Sequence, residues 1–266
     1  MSAVMLERTN GVVVVTLSRP RVKNALDGAA WAELLAVLRS IEQDRRDRLL
    51  IVTGAGDAFC SGADISPAEL RRWNGDASAL PGAHQLALMR DIGEVARTLY
   101  RLSTPTIAMV NGVAVGGGCG LALACDLVVA AEEATFVPNF SRRCLSPDVG
   151  VSWILPRLIG LQRSKALLFR GSSVSANEAL SLGLVTRVVP RAELAKAVQV
   201  IAEEIVAGPL LALALTKRML NDSFAVSLEQ ALEDEARSQA INMRTDDFAE
   251  AMSAFHERRT PWFKGH

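Results

Sequence analysis

Residues 104–126, Thr-Pro-Thr-Ile-Ala-Met-Val-Asn-Gly-Val-Ala-Val-Gly-Gly-Gly-Cys-Gly-Leu-Ala-Leu-Ala-Cys-Asp, restrict the folds open to this chain more than any other stretch. An apolar, β-prone run at 107–110 reaches a turn at Asn111-Gly112. Gly116, Gly117, Gly118 and Gly120 then open a segment of Ala and Leu with helical character. A glycine inside a helix costs about 1 kcal/mol relative to alanine, so a cluster of four needs a reason. Close approach of another backbone or of a ligand is one, and free N–H groups at a helix start aimed at a negative group are another. A tightly packed turn without a ligand is the competing reading. The spacing is not a clean G-x-G-x-x-G, and Glu132 and Glu133 come too early for the acidic residue of a dinucleotide site. No Gly-Lys-Ser/Thr follows, which excludes a phosphate-cradling loop of that type.

The flanking sequence alternates strand and helix patterns. Asn10-Gly11 between apolar runs at 4–7 and 12–17 is a hairpin signal. Asp27 is placed to cap a helix over 29–44, and the apolar Leu49-Leu50-Ile51-Val52-Thr53 reads as a strand buried on both faces. Residues 54–65 form a second glycine-rich turn at a strand end, where ligands gather in sheets with crossover helices. Residues 66–83, with Pro67, Gly75, Pro81 and Gly82, read as a mobile, lid-like loop. A helical period follows over 86–102, a buried strand over 127–131 and an irregular segment over 135–156. Helices are expected near 164–169 and 175–182, the second opened by a capping box from Ser175 to Glu178 and stopped by Gly183, and then a strand over 184–189. From residue 191 the pattern is helical, with breaks at Gly208-Pro209 and near 242–245. A sheet-bearing core over 1–190 and a helical region over 191–266 are therefore expected, with no internal repeat visible.

The balance of charge removes several function classes. The 29 basic and 29 acidic side chains in 266 residues leave no net charge and no basic block, so nucleic acid is not an expected partner. No run approaches the roughly 20 apolar residues that span a bilayer, and the first residues, with Glu7 and Arg8, lack the apolar centre of a signal peptide. Cys60, Cys119, Cys125 and Cys144 form no C-x-x-C pair and read as buried, reduced thiols, which suits a cytoplasmic location. His84, His256 and His266 are scattered, so no metal site is expected.

Four motifs then occur in order: Phe59-Cys60-Ser61-Gly62-Ala63-Asp64-Ile65; Asn111 through Cys119; Pro147-Asp148-Val149-Gly150-Val151-Ser152-Trp153-Ile154-Leu155-Pro156; and Ala176 through Gly183-Leu184-Val185. With the terminal stretch from Ala254 to Lys264, they resemble the crotonase superfamily, the enoyl-CoA hydratases and isomerases, over essentially the whole chain. The resemblance implies an α/β fold, a crotonase-like spiral of ββα units, with a C-terminal helical region that builds trimers, often paired into hexamers. It implies a coenzyme A thioester as ligand, coenzyme A entering as part of the substrate and no separate cofactor. Ala63 and Gly117 match the two positions whose N–H groups form the family's oxyanion hole. Coenzyme A contacts would fall on Lys23, Asn24, Ala25, Leu26, Ala63, Asp64, Ile65, Gly116 and Gly117, with Lys264 reaching in from a neighbouring subunit. Phe140 and Trp153 fit an acyl pocket and fit a core equally well.

The reaction turns on carboxylates. Hydratases of the superfamily hold one water between two glutamates, and those positions fall on Gly120 and Phe140 here. Neither residue titrates, so efficient hydration is not expected. Asp148 matches the single catalytic aspartate of some double-bond isomerases. Moving a double bond needs one base that takes a proton from C2 and returns it at C4. In the apolar company of Phe140, Leu145, Val149 and Val151 its pKa should rise. The plainer alternative is that Asp148 caps the helix that follows. Asp64 reads as a loop-fixing residue, Asp126 as structural and His84 as a surface histidine within reach of the site. Arg142 and Arg143 read as solvent-facing or as partners of an acyl carboxylate. Enoyl-CoA isomerisation is the expected activity. Hydratase-like or other enolate chemistry, or a non-catalytic acyl-CoA-binding subunit, are the alternatives.

Overall fold

From residue 49 onward, strands of this chain pass between two different sheets, and glycines at two of the turns, Gly54 and Gly112, let the two layers approach. The computed structural model describes residues 2–74 and 83–265. The larger sheet contains β1 (Val4–Thr9), β2 (Val12–Leu17), β3 (Leu49–Gly54), β5 (Thr106–Val110), β7 (Leu127–Ala131) and β10 (Arg187–Val189), hydrogen-bonded in that order. The smaller contains β4 (Ala58–Cys60), β6 (Val113–Val115), β8 (Thr135–Val137) and β9 (Val174–Ser175). Among the described strands, only the β1–β2 hairpin around Asn10-Gly11 and the β8–β9 pair are antiparallel. Each of β3, β5 and β7 turns directly into a strand of the smaller sheet. A methyl on Gly54 would lie 2.2 Å from the carbonyl oxygens of Ala58 and Phe59, and one on Gly112 would lie 2.0 Å from that of Asp57. Any side chain there would push the two layers apart.

The helices complete the turns of the spiral. α1 (Gly28–Gln43) crosses from β2 to the parallel β3; α2 (Pro67–Asn74) and α3 (Ala83–Arg101) follow β4; α4 (Gly117–Leu123) follows β6. α5 (Val151–Ile159) and α6 (Leu161–Arg170) follow β8, and α7 (Ala176–Leu182) separates β9 from β10. The expected spiral of ββα units is thus present. Asp27 caps α1 by accepting a hydrogen bond from the Ala30 N–H at 2.9 Å, and Ser175 caps α7 through the Glu178 N–H at 3.3 Å.

The main core lies between the two sheets and the inner faces of α1, α3 and α4, with Val15, Leu34, Leu38, Phe59, Leu99, Val110 and Leu121 at its centre. A second core forms where Leu194, Ala197, Val198 and Ala202 of α8 (Leu194–Val206) cover Leu49, Ile51, Ile107 and Val129 on the other face of the larger sheet. Packing therefore continues past residue 190 into α8. Then come α9 (Leu210–Asp222), α10 (Leu228–Asn242) and α11 (Asp246–Glu257), with a break between α9 and α10 that the sequence pattern does not announce.

Four expectations need correction. The loop expected over 66–83 is helical at its start, as α2, because Ser66 accepts from the Glu69 N–H and Pro67 suits a first helical turn. Residues 75–82 of that loop lie outside the described residues. The irregular segment expected over 135–156 contains β8 and begins α5 at Val151. The last strand is shorter than 184–189, because the Leu184 N–H is used at 2.8 Å to close α7 on the Ala179 carbonyl. Cys144 is exposed, whereas Cys60, Cys119 and Cys125 are buried as expected.

Candidate active site

The four glycines of the opening motif do separate jobs. Gly116, before α4, has φ 52° and ψ −117°, a conformation outside the range of ordinary L residues. Gly118 lets the helix pass the smaller sheet, since a methyl there would lie 2.2 Å from the Cys60 carbonyl oxygen. Gly117 and Gly120, three residues apart on one face of α4, receive Val149. A methyl on Gly117 would lie 3.1 Å from Val149 Cγ2, and one on Gly120 would lie 2.6 Å from Val149 Cβ. Backbone approach and packing explain Gly118 and Gly120. Gly116 and Gly117 border open space.

That space is closed on one side by residues 61–66. Leu26 makes a parallel bridge with Ala63: its N–H donates to the Gly62 carbonyl at 2.8 Å and its carbonyl accepts from the Asp64 N–H at 2.9 Å. Alternate groups of an extended chain point to opposite sides, so the Ala63 N–H faces away from Leu26. Gly62 touches the other motif through bare backbone. A methyl there would lie 2.7 Å from Val115 O and 3.3 Å from Gly117 N. The Ala63 and Gly117 N–H groups consequently border one cavity, and among the described residues neither has an acceptor.

Arg19 fixes this arrangement. Its guanidinium donates to the Ala25 carbonyl at 2.6 Å and pairs with Asp64 at 3.0 Å and with Asp27 at 3.1 Å. Asp64 also accepts from the Ser66 N–H at 3.0 Å. Burial works against its charge, but the hydrogen bonds from Ser66 and Arg19 prevail and hold its carboxyl below the ordinary range. Asp64 is the loop-fixing residue the sequence suggested. Arg19 was not legible as its partner, because the two are far apart in the chain.

Asp148 lies across the cavity. One carboxylate oxygen, Oδ1, is buried, has no hydrogen-bond partner among the described residues and lies 3.6 Å from where a methyl on Gly117 would be. Burial pushes this carboxyl up to about 6. The side chain does not cap α5: the capping position is Gly150, with no side-chain cap, and it is the Asp148 carbonyl that accepts from the Val151 N–H, at 3.0 Å. Val149 has φ 47°, an outlier for a β-branched residue. Left-handed backbone costs such a residue roughly 1–2 kcal/mol.

The cavity measures about 940 Å³. Its lining includes Ala25, Ile65, Ser66, Val115, Phe140, Leu145 and Val149, with Trp73 of α2 and Leu88 and Met89 of α3. Phe140 is buried, with its ring edge 3.8 Å from the methyl position of Gly116. The neighbouring thiols offer no nucleophile, since burial pushes Cys60 and Cys119 up to about 12.

Of the residues expected in the site, Asp148, Ala63, Gly117, Gly116, Ala25, Asp64, Ile65 and Phe140 line this cavity. Trp153 does not. It sits on the other side of α5, edge-on to Tyr100 at 5.2 Å and under the Arg157 guanidinium at 3.6 Å, in a separate cavity of about 430 Å³. Lys23 and Leu26 do not line the site either, and Leu26 is buried at the Ala63 bridge. Asn24 is fully buried and its amide is engaged with backbone at Ala55, Ala58, Phe59 and Arg19. The Lys264 N–H bonds Asp247 at 2.6 Å, away from the cavity of its own chain. His84 contacts the Arg72 carbonyl at 2.9 Å and does not line the cavity, whereas Arg143 does. Arg142 donates to the Arg170 carbonyl, and Asp126 joins Thr106 to Lys217, a structural role as expected.

The model of the enoyl-CoA hydratase/isomerase family matches residues 7–266. The chain belongs to this family. It is 34% identical to the 1,2-epoxyphenylacetyl-CoA isomerase of Escherichia coli (strain K12), covering 100% of this chain and 99% of that one. It is 31% identical to 4-chlorobenzoyl coenzyme A dehalogenase-1 of an Arthrobacter species, covering 96% and 91%. Among solved structures, the enoyl-CoA hydratase of Bacillus anthracis superposes with a TM-score of 0.91 at 34% identity, covering 99% and 100%. The fold is that of the crotonase superfamily, and the protein is an acyl-CoA-processing enzyme of the enoyl-CoA hydratase/isomerase family. Relatives at similar identity carry the names of an isomerase, a dehalogenase and a hydratase, so the reaction has to be read from the site.

Proposed function

We propose that this enzyme shifts the double bond of an enoyl-CoA between the β,γ and α,β positions, with Asp148 as the base and the Ala63 and Gly117 N–H groups as the oxyanion hole. The observation that carries this reading is the buried Oδ1 of Asp148 beside Gly117, unpartnered among the described residues. With the thioester oxygen between the two N–H groups, Asp148 removes a proton from C2. The electron pair moves onto the thioester oxygen as a dienolate. The same carboxyl returns the proton at C4, and the carboxylate is regenerated without water. Donors aimed at such an oxygen are worth roughly 3–4 kcal/mol each in a hydrolytic enzyme. A carboxyl titrating at about 6 is ionised at neutral pH and still basic enough to hold the proton between the steps.

The packing of Gly120 supports this choice over hydration. Val149 occupies the space that any side chain at 120 would need, and Phe140 fills the other glutamate position. Ala25, Ala63, Asp64, Ile65 and Gly116 are the proposed contacts to the acyl-CoA.

Replacing Asp148 by Asn should lower kcat for 3-enoyl-CoA isomerisation by roughly 10²–10⁴-fold. In the unsubstituted enzyme kcat/KM should rise with pH through about 6, as the base ionises. Unchanged turnover in Asp148→Asn would overturn the assignment, and efficient hydration of crotonyl-CoA would overturn the argument from Gly120. The name of the Escherichia coli relative makes 1,2-epoxyphenylacetyl-CoA the second substrate to assay.

A further inference from the structure

We infer that Val149 is the positioning residue of this site: seated on the glycine face of α4, its side chain holds the turn that presents Asp148 to the substrate and keeps water from the carboxylate. The inference rests on Asp148 being the base. Residues 148–151 close through the Val151 N–H and the Asp148 carbonyl at 3.0 Å, with positive φ at both central residues, 47° at Val149 and 76° at Gly150. A turn with two left-handed centres is the kind that selects Asn-Gly, and a β-branched residue is among the poorest choices for its first centre. The strain at Val149 is matched by what its side chain does. Val149 is 2% exposed and meets α4 at both Gly117 and Gly120. Seated between two positions three residues apart, it prevents the turn from sliding along the helix. Its Cγ2 and Asp148 Oδ1 stand beside the same point of α4, 3.1 and 3.6 Å from the methyl position of Gly117, so the apolar side chain shields that side of the carboxylate.

The charged groups around Asp148 do not offer another origin for its state. From residues 61–66 comes Asp64, already engaged by Arg19 and Ser66, and from the 141–146 segment comes Arg143, which is exposed. The α4 face presents glycines only, and α1 presents the Trp31 ring against Gly117. Loss of the Val149 side chain therefore acts through hydration and placement of the carboxylate.

The test is Val149→Gly, which keeps a residue suited to positive φ and removes the seated side chain, with Val149→Ala as the milder variant. The ¹³C carboxyl resonance of Asp148, assigned by its loss in Asp148→Asn, reports its titration without any assay of turnover. In Val149→Gly the midpoint should fall by at least about one pH unit as water reaches the carboxylate. The acid limb of kcat/KM should move with it, and kcat should fall at least about tenfold while KM changes by less than about threefold. Val149→Ala should show the same changes at smaller size, and it carries the test if circular dichroism shows Val149→Gly to be unfolded. A midpoint and a kcat that stay at wild-type values in the folded variants would overturn the inference. A lowered midpoint in an enzyme inactive on 3-enoyl-CoA would instead support the role of Val149 and overturn the isomerase assignment.

Discussion

A carboxyl held above its ordinary pKa costs stability wherever it is ionised, and Asp148 is such a group. Burial moves it from 3.8 to about 6. Between those values the folded chain keeps a proton that the unfolded chain has released, so stability falls as pH rises through this window. Below about pH 4 both states are protonated and there is no penalty; above about pH 6 the penalty is complete, on the order of 2–3 kcal/mol. Asp148→Asn removes the titration. Its melting temperature should exceed that of the wild type by roughly 5 °C at pH 8, with the difference closing towards pH 4. Scanning calorimetry at several pH values reads this directly. A variant equally stable at pH 8 would show that the carboxylate is well solvated. The same substitution should therefore lose activity and gain stability, as expected of a site residue retained for chemistry.

Among the elements, the loop between β2 and α1 shows how a residue read as a ligand contact serves the frame instead. The Asn24 amide donates to the carbonyls of Ala55, Ala58 and Phe59 at 2.9, 2.8 and 3.3 Å, and its Oδ1 accepts from the Arg19 N–H at 3.0 Å. It braces the β3–β4 turn against the segment that carries the Leu26–Ala63 bridge. Asn24→Ala would leave these groups buried without partners and should cost roughly 2–4 kcal/mol, measured by denaturant unfolding, with kcat falling as Ala63 loses its support. Undiminished stability with weakened acyl-CoA binding would restore the role of ligand contact. Much of this framework was legible locally. The Asn10-Gly11 hairpin, the caps at Asp27 and Ser175 and the glycine cluster place their cause within three or four residues of their effect. A helix opening after Asp148 was legible only as an alternative, because Gly150 offers no capping side chain and Val149 adopts a backbone that its residue type disfavours. The choice left open for Trp153 depends on which face of α5 meets α4, and no local pattern fixes that. The Arg19–Asp64 clamp joins distant residues, and the ββα repeat is hidden because its turns carry helices of different number and length.

Among the described residues, the C-terminal helices and tail expose many large apolar side chains. α8 is packed on the larger sheet, but beyond it Phe224 is 68% exposed, Leu228 69% and Trp262 78%, with Leu220, Leu232 and Phe255 also mostly exposed. Leu228 and Leu232 lie four residues apart on one face of α10, and single chains rarely leave large apolar patches in water. We propose that these faces are buried between copies of the chain, as the trimers and hexamers implied by the crotonase resemblance would require. Such contact also bears on the terminal segment. The Asp247 carboxylate holds the backbone N–H groups of Lys264 and Gly265 at 2.6 and 2.8 Å, which fixes the tail next to α11 and outside its own cavity. Any contact of Lys264 with coenzyme A would then be made in the site of a neighbour. Sedimentation should give a mass of three or six chains at micromolar concentration, and replacing Leu228 and Leu232 together by Glu should yield smaller species. In the assembled enzyme, Lys264→Ala should raise KM for acyl-CoA with little change in kcat, whereas the dissociated Leu228→Glu/Leu232→Glu protein should show no further loss on adding it. A wild-type protein that sediments as a single chain would remove both the interface and the shared site.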